Sequence, residues 1–320
     1  MKTIISKDIH LAATLLREGN VVAIPTETVY GLAGNALEPS CVSKIFAVKN
    51  RPFFDPLIVH IRSAEALNEY TRDIPDIALE LAKTFWPGPL TLVLKRKSMI
   101  PDLVTSGLET VAIRVPAHPV AAELLAQLDF PLAAPSANPF GYISPTTAAH
   151  VASQLNGSIP MILDGGACKV GLESTIVDCS GKQIRVLRAG GLSIEELEKH
   201  TGKIDIVAGS SSNPAAPGML ESHYAPRKPL YLGDPQKLMI RFKNEKIAIL
   251  SFQKKYPVEH NLVLSDSGDL TESAQNLFGY LRQLDQLNVD KIIAEEVPDI
   301  GLGRAINDRL KRASIKLGLN

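Results

Sequence analysis

The sequence predicts an α/β fold in two units, and three observations support this. Short apolar stretches with strand character alternate with amphipathic stretches of helical periodicity. The length of 320 residues is typical of two domains, and 45% apolar residues can form their cores. The stretch 208–228 is rich in Ser, Pro and Ala and has no periodicity. We therefore expect a first domain over 1–207, a linker over 208–228 and a smaller domain over 229–320.

In the first unit, glycine and proline delimit the predicted elements. Ile9, Ala12 and Leu16 share one face of a first helix, which Gly19 ends. Pro25 stops a strand over 21–24, and the Pro-Gly-Pro run at 87–89 ends a helix over 76–85. The remaining predictions are helices over 40–48, 120–128 and 146–155, strands over 57–61, 90–94, 111–115, 132–134 and 161–164, and a hairpin of 174–178 with 184–187.

The second unit repeats the alternation on a smaller scale. Strands are predicted over 230–232, 246–251, 262–264 and 291–295, and helices over 270–287 and 302–313. This is the pattern of a compact Rossmann-like three-layer domain. No GxGxxG motif follows its first strand, so nothing predicts dinucleotide binding there.

Charge and cysteine content exclude several classes of protein. Lys plus Arg and Asp plus Glu both number 34, so the chain lacks the basic excess of a dedicated nucleic-acid binder. The three cysteines are far apart, which argues against a disulfide framework and a zinc site. Charged residues interrupt the apolar residues of the N-terminus, and no run approaches a membrane span. We therefore expect a cytoplasmic protein without a membrane partner.

Two polar clusters follow early elements. The first, PTETVYGL at 25–32, places hydroxyls and a glycine directly after a strand, which suits a ligand pocket or a capped turn. The second has Lys49 and Arg51 just past a helix, where both can face one anion. A solvated helix end is the alternative, since cations are also favoured there by the helix dipole.

Two further clusters each contain an arginine in apolar surroundings. Arg114 lies in the apolar run VAIRV, where a charge requires a partner, either a structural carboxylate or that of a substrate. ESTIVD at 173–178 and LRAGG at 187–191 place Ser174 and Arg188 beside a strand and a glycine turn. The chain has no Walker loop, HExxH or GxSxG motif. The residues alone therefore indicate an α/β enzyme with an anion pocket.

Together these clusters resemble the YrdC-like threonylcarbamoyl-AMP synthases. The matching strings run in the family's order and are PTETVYGL, KNRP, PLIVH, WPGPLTLVL, TVAIRVP, PLAAPSAN, ESTIVD and LRAGG. HYAP at 223–226 and GLGRAINDRLKRA at 301–313 resemble the longer branch, which adds a linker and a second domain. The resemblance implies a YrdC-like domain with a twisted sheet and a concave pocket, followed by a smaller domain.

The resemblance also implies roles for individual residues. Lys49 and Arg51 would hold the ATP phosphates and carry catalysis by positioning and charge neutralisation. The other positions that match ATP contacts are Asp55, Thr110, Ser136, Asn138, Ser144, Arg188 and Tyr224. The positions that match threonine contacts are Thr28, His60, Arg114, Ala134 and Ser174. Asp55 departs from the family, which often has Asn there, and a carboxylate beside phosphates repels them unless Mg²⁺ bridges.

The implied reaction joins ATP, bicarbonate and L-threonine into threonylcarbamoyl-adenylate, with Mg²⁺ accompanying ATP and with metal ligands in the protein unassigned. A downstream transferase that modifies tRNA adenosine is the implied partner. The alternatives are an RNA-binding module and a carbamoyl-transferring enzyme on the same fold. Zero net charge and the lack of stacking aromatic motifs argue against direct RNA binding.

We also predict that the linker folds over the site as a lid and brings Tyr224 to the nucleotide. Segments this long without periodicity are usually functional or free tethers. Prolines stiffen this one, and Met219, Leu220 and Tyr224 would gain from docking. An enclosed site would protect a carbamate from water. A passive spacer is the alternative.

Overall fold

The computed structural model describes residues 2–207, 216–217 and 223–315, which form two sheets with helices packed on them. The first region has the following elements: β1 Ile4–Ser6, α1 Ile9–Arg17, β2 Val22–Ile24, β3 Gly31–Asn35, α2 Pro39–Lys49, β4 Ile58–His60, α3 Leu67–Tyr70, α4 Asp76–Phe85, β5 Leu90–Lys95, α5 Asp102–Thr105, β6 Thr110–Arg114, α6 Pro119–Ala126, β7 Leu132–Ala133, α7 Ala148–Leu155, β8 Met161–Leu163, β9 Thr175–Asp178, β10 Arg185–Arg188, α8 Ile194–Thr201 and β11 Asp205–Ile206.

Local chemistry explains where the helices near the cleft begin and end. Asp8 caps α1 by accepting a hydrogen bond from the Leu11 amide. Pro39 occupies the first turn of α2, where its missing N–H costs nothing. Asn50 ends α2 in the left-handed conformation, with φ of 52°. This reversal leaves Lys49 and Arg51, on either side of the cap, both buried.

The strands β1 to β11 form one mixed sheet in the order β1-β8-β2-β3-β7-β4-β6-β5-β9-β10-β11. Strands β4 and β6 run parallel, and their register sets His60 beside Arg114 where both strands end. Strand β7 lies antiparallel to β4, and a bridge joins Ser136, just past β7, to Gly31. The predicted hairpin of β9 and β10 is confirmed. The ends of β4 and β6 therefore meet, and the chain after β7 runs toward the start of β4, so this short strand has site residues at both of its ends.

The second region contains β12 Leu230–Leu232, α9 Pro235–Arg241, β13 Ile247–Ser251, β14 His260–Val263, α10 Leu270–Gln286, β15 Lys291–Ala294 and α11 Gly303–Ala313. Its four strands are all parallel, in the order β12-β15-β13-β14. The α/β prediction, with a large sheet domain and a smaller three-layer domain, is confirmed. Within the described ranges, the helices lack the length and apolarity that a bilayer span requires.

The second region packs directly on the first. One apolar cluster contains Val29, Ile143 and Leu172 of the first region together with Phe278 of α10 and Ile306 of α11. On the surface beside it, Arg304 of α11 pairs with Glu195 of α8. Helix α11 therefore lies against the first region near the ends of its strands, where the polar clusters of the sequence also converge.

Candidate active site

The strand ends at the centre of the large sheet surround a cleft that is partly open to solvent. Nine of the residues predicted to bind ATP or threonine line it: Thr28, Arg51, His60, Arg114, Ala134, Ser136, Ser174, Arg188 and Tyr224. They come from eight separate stretches of sequence. The fold therefore collects residues that are up to 196 positions apart, Thr28 and Tyr224, into one pocket (224 − 28).

The other five predicted residues do not line the cavity itself. Lys49, Asp55, Asn138 and Ser144 are buried behind its wall. Thr110 begins β6 and shares a face with Ala112 and Arg114, since alternate residues of a strand point the same way. It lies four residues, or about 13 Å, from Arg114 along the strand.

Lys49 is a buried cation without a carboxylate partner among the described residues. Its ammonium donates to the carbonyl oxygens of Ser136 and Asn138, each at 2.5 Å. Burial first, and then neighbouring Arg51, lower the pKa of Lys49 well below its ordinary value, while Asp55 opposes them. Because an uncompensated buried charge is costly, this arrangement favours an incoming anion.

Arg51 is buried beside Lys49 and forms an ion pair with Asp55 at 2.9 Å. The loop carbonyls also hold its guanidinium, with Nε donating to the Asp55 oxygen at 3.1 Å and Nη2 to that of Pro56 at 2.9 Å. The side chain of Asn138 donates to the carbonyls of Pro139 and Tyr142, which fixes the facing loop. Two basic side chains thus lie side by side, with Arg51 in the cleft wall and Lys49 behind it.

Arg188 provides a third buried cation from the opposite wall. Its guanidinium donates to the Ser174 carbonyl and hydroxyl and to the Pro217 carbonyl, and it has no ion pair within the described ranges. Gly190 permits this arrangement, since a Cβ there would lie 2.3 Å from the Glu173 carbonyl oxygen. Burial lowers the pKa of Arg188.

Arg114 has the structural partner that the sequence analysis considered as one of two alternatives. Its Nη2 donates to Glu27 Oε1 at 2.5 Å, Nη1 to the Thr28 hydroxyl at 2.8 Å and Nε to the Gly88 carbonyl at 3.1 Å. Glu27 therefore already neutralises this guanidinium. A substrate carboxylate would share Arg114 with Glu27 instead of meeting a free cation.

His60 is the neutral group of the cleft. Burial, and then the nearby charge of Arg114, lower the pKa of His60 to about 3. Its Nδ1 is buried and has no hydrogen-bond partner among the described residues. The imidazole therefore offers a neutral polar atom beside Ala134 and Thr28 in the cleft wall.

Glu173 and Arg309 are site residues that the sequence analysis did not select. Glu173 lines the cleft, accepts a hydrogen bond from the Ser144 hydroxyl at 2.6 Å and pairs with Arg309 at 2.9 Å. Burial acts to raise the pKa of Glu173, but Arg309 and Arg188 outweigh it and keep it below its ordinary value. The sequence does contain a signal for Glu173. Its charge interrupts the run LESTIVD much as the charge of Arg114 interrupts VAIRV.

Described parts of the linker lie on the cleft. Ala216 is buried against an apolar surface formed by Ile58, Ala112, Ile176 and Leu187. Tyr224 lines the cleft in a left-handed conformation, with φ of 64°. Phe278 stacks on the Tyr224 ring, and the Arg309 guanidinium lies over it at 5.1 Å. Met219 and Leu220, whose docking the lid prediction also invoked, lie outside the described residues.

Comparisons with known proteins agree with this geometry. Residues 14–190 match the family model of Sua5, YciO and YrdC proteins, described as telomere recombination. Residues 192–314 match the model described as the C-terminal domain of threonylcarbamoyl-AMP synthase. The threonylcarbamoyl-AMP synthase of Pyrococcus abyssi is 44% identical, with 96% of this chain and 94% of the relative covered. That of Bacillus subtilis is 42% identical, with 95% and 92% covered.

The crystal structure of Pyrococcus abyssi Sua5 in complex with L-threonine superposes with a TM-score of 0.92 at 42% identity. The superposition covers 98% of each chain, so both sheets and their relative placement are shared. The chain therefore belongs to the threonylcarbamoyl-AMP synthase family, in the branch that carries a second domain.

Proposed function

We propose that the cleft joins ATP, bicarbonate and L-threonine into L-threonylcarbamoyl-adenylate and releases pyrophosphate, for the modification of tRNA adenosine. The observation that carries this proposal is the set of three buried cations, Lys49, Arg51 and Arg188, of which only Arg51 has a carboxylate partner in the described part of the chain. Such a site is electrostatically incomplete without an anion. A triphosphate carries the negative charge that this site requires. The reaction we propose is that of the family to which the chain belongs.

The nucleotide and the amino acid would occupy neighbouring parts of the cleft. Lys49, Arg51 and Arg188 would bind the phosphates, with the Ser136 loop beside them. Ile58, which lines the cleft, offers an apolar contact to a base or ribose, and Thr110 begins β6 farther along the sheet. Thr28, His60, Ala134 and Ser174 would surround L-threonine, which is bound in the Pyrococcus abyssi structure.

The chemistry then requires little covalent participation by the protein. The threonine amine and bicarbonate combine into a carbamate with loss of water, and a carbamate oxygen attacks the α-phosphorus as pyrophosphate leaves. Fixed cations around the phosphates neutralise the charge that develops on the leaving group. Mg²⁺ would enter bound to ATP as part of the substrate. Packing of Ala216 and Tyr224 on the cleft would limit the access of water to the carbamate.

The function is tested by mass detection of the adenylate in a mixture of the protein with ATP, Mg²⁺, threonine and bicarbonate. We expect product and pyrophosphate only when threonine and bicarbonate are both present. Pyrophosphate release without them contradicts the proposal. RNA binding without any product would support the binding-module alternative, and turnover of carbamoyl phosphate would support a carbamoyl transferase. A purified tRNA-modifying transferase should consume the product.

Valine should bind the amino-acid site about 10- to 100-fold more weakly than threonine. The two ligands have nearly the same shape, but valine leaves the hydroxyl partner unpaired. The neutral His60 imidazole and the Thr28 and Ser174 hydroxyls are the available partners. Calorimetric titration with threonine, serine and valine measures the difference. Equal affinity for the three amino acids would show that the hydroxyl is not recognised.

A further inference from the structure

Asp55 is a buried carboxylate whose surroundings leave it incompletely satisfied. Its side chain is fully buried, and Oδ2 lies 2.9 Å from Arg51 Nη2. The two groups are close enough for an ion pair but are not aligned for a hydrogen bond. Both carboxylate oxygens therefore lack a hydrogen-bond partner among the described residues. Buried carboxylates in proteins are normally both paired and hydrogen-bonded, so this one is held by charge alone.

Arg51, in contrast, does not depend on the carboxylate for its position. Its Nε donates to the backbone oxygen of Asp55 and its Nη2 to that of Pro56. The loop backbone therefore keeps the guanidinium beside the cleft even when the charge of Asp55 is removed. An anion in the cleft can therefore replace Asp55 as the partner that neutralises Arg51, while the backbone contacts hold the guanidinium in place.

The groups facing Asp55 come from several elements. Arg51 and Lys49 lie at the end of α2, and Arg188 lies at the end of β10. Burial raises the pKa of Asp55, and Arg51, Lys49 and Arg188 oppose this in that order. His223 from the linker side is buried near Arg51, and burial keeps its pKa well below the ordinary value, so it contributes no positive charge at neutral pH. Burial is the larger influence, so the pKa of Asp55 lies above its ordinary value, and the ion pair with Arg51 is what favours the carboxylate form.

We propose that Asp55 is a built-in place-holder for phosphate, which neutralises Arg51 in the ATP-free protein and takes up a proton when the triphosphate binds the same cation. This inference rests on the proposed function, since it requires ATP at this site. A phosphate and a carboxylate held against the same buried guanidinium disfavour each other's ionised form. The carboxylate accepts a proton from solvent and becomes a neutral carboxylic acid. When pyrophosphate leaves, the acid releases the proton and pairs with Arg51 again.

The inference predicts that ATP affinity is linked to pH through Asp55. Because the bound state holds the additional proton, ATP binds more weakly as pH rises through the range between the free-state and bound-state pKa of Asp55. The slope is about one proton, or about tenfold in affinity per pH unit, in the middle of that range. Asp55→Asn keeps the size of the side chain and removes both the charge and the proton.

Calorimetry of the full chain with ATP and Mg²⁺ at pH 8, in buffers of different ionisation enthalpy, counts the protons. At this pH a phosphate, whose second pKa is about 6, contributes few protons of its own. We expect wild type to take up about one half to one proton per ATP and Asp55→Asn to take up none. Asp55→Asn should also bind ATP more tightly at pH 8 than wild type, by a factor that shrinks at pH 6.

Lys49 is the other group that can gain a proton, because burial depresses its pKa and a phosphate would raise it. Proton uptake that persists in Asp55→Asn and disappears in Lys49→Met assigns the proton to Lys49 and overturns the inference. Equal proton counts in wild type and Asp55→Asn overturn it as well. Absence of ATP binding to wild type instead contradicts the proposed function itself.

A second measurement uses wild type alone, so its outcome does not depend on whether a variant folds. An infrared difference spectrum recorded on ATP binding should show the carbonyl band of a newly protonated carboxylic acid. ATP binding without that band overturns the place-holder role, whatever the behaviour of Asp55→Asn.

Discussion

Arg309→Ala is expected to lower the free energy of unfolding by about 3–5 kcal/mol, because it leaves the buried Glu173 carboxylate without its ion-pair partner. The pair joins α11 to the cleft across 136 residues of sequence, and the Arg309 side chain is 0% exposed. The same change removes the guanidinium that lies over Tyr224. Urea unfolding at pH 7 measures the loss, and ATP titration reports whether the cleft is disturbed.

The chain contains a matched control for this experiment. Arg304, on the same helix, pairs with Glu195 of the first region at 2.5 Å, but both side chains are partly exposed, at 31% and 44%. Arg304→Ala should therefore cost less than about 1 kcal/mol. Replacing both partners of the buried pair, as Glu173→Leu with Arg309→Met, should recover most of the stability. Equal losses for Arg304→Ala and Arg309→Ala would contradict the assignment of the cost to burial.

Lys49→Met should weaken ATP binding by about 1.5–3 kcal/mol, or roughly 10- to 150-fold, because it removes one charge-assisted contact to phosphate. Stability should stay level or rise, because methionine removes a buried ammonium that only carbonyl groups accompany. A loss of ATP affinity without a loss of stability distinguishes a cation that binds ligand from one that supports the fold. Calorimetry and thermal unfolding of the same preparation measure both quantities.

Lys44→Met is the control, since Lys44 lies on the same helix, is exposed and donates to the Gly19 carbonyl. It should change neither quantity by more than about 0.5 kcal/mol. Arg51→Ala is a less selective test, because it also leaves the buried Asp55 without its ion pair. Unchanged ATP affinity in Lys49→Met would exclude Lys49 from the phosphate site.

Local pattern was enough to predict most elements, but it missed β1, α3, α5, α8, β11, α9 and, inside the large sheet, β3. This strand, Gly31–Asn35, contains two glycines and lacks the β-branched residues that mark a strand. It forms because β2 and β7 pair with it on both sides. A Cβ on Gly34 would come within 3.3 Å of Ile45, so close packing of α2 favours glycine there. Tertiary contacts therefore override a weak local preference.

The sequence by itself determined the fold class, the order of the motifs and the residues that bear charge near the ends of strands. These properties depend on periodicity and on short strings, which are local. Only the tertiary structure decided the partners of those charges: Glu27 for Arg114, and Arg309 of α11 for Glu173. The physical reason is that a buried charge requires a partner but does not specify where along the chain that partner lies, so only packing of the two regions makes the choice.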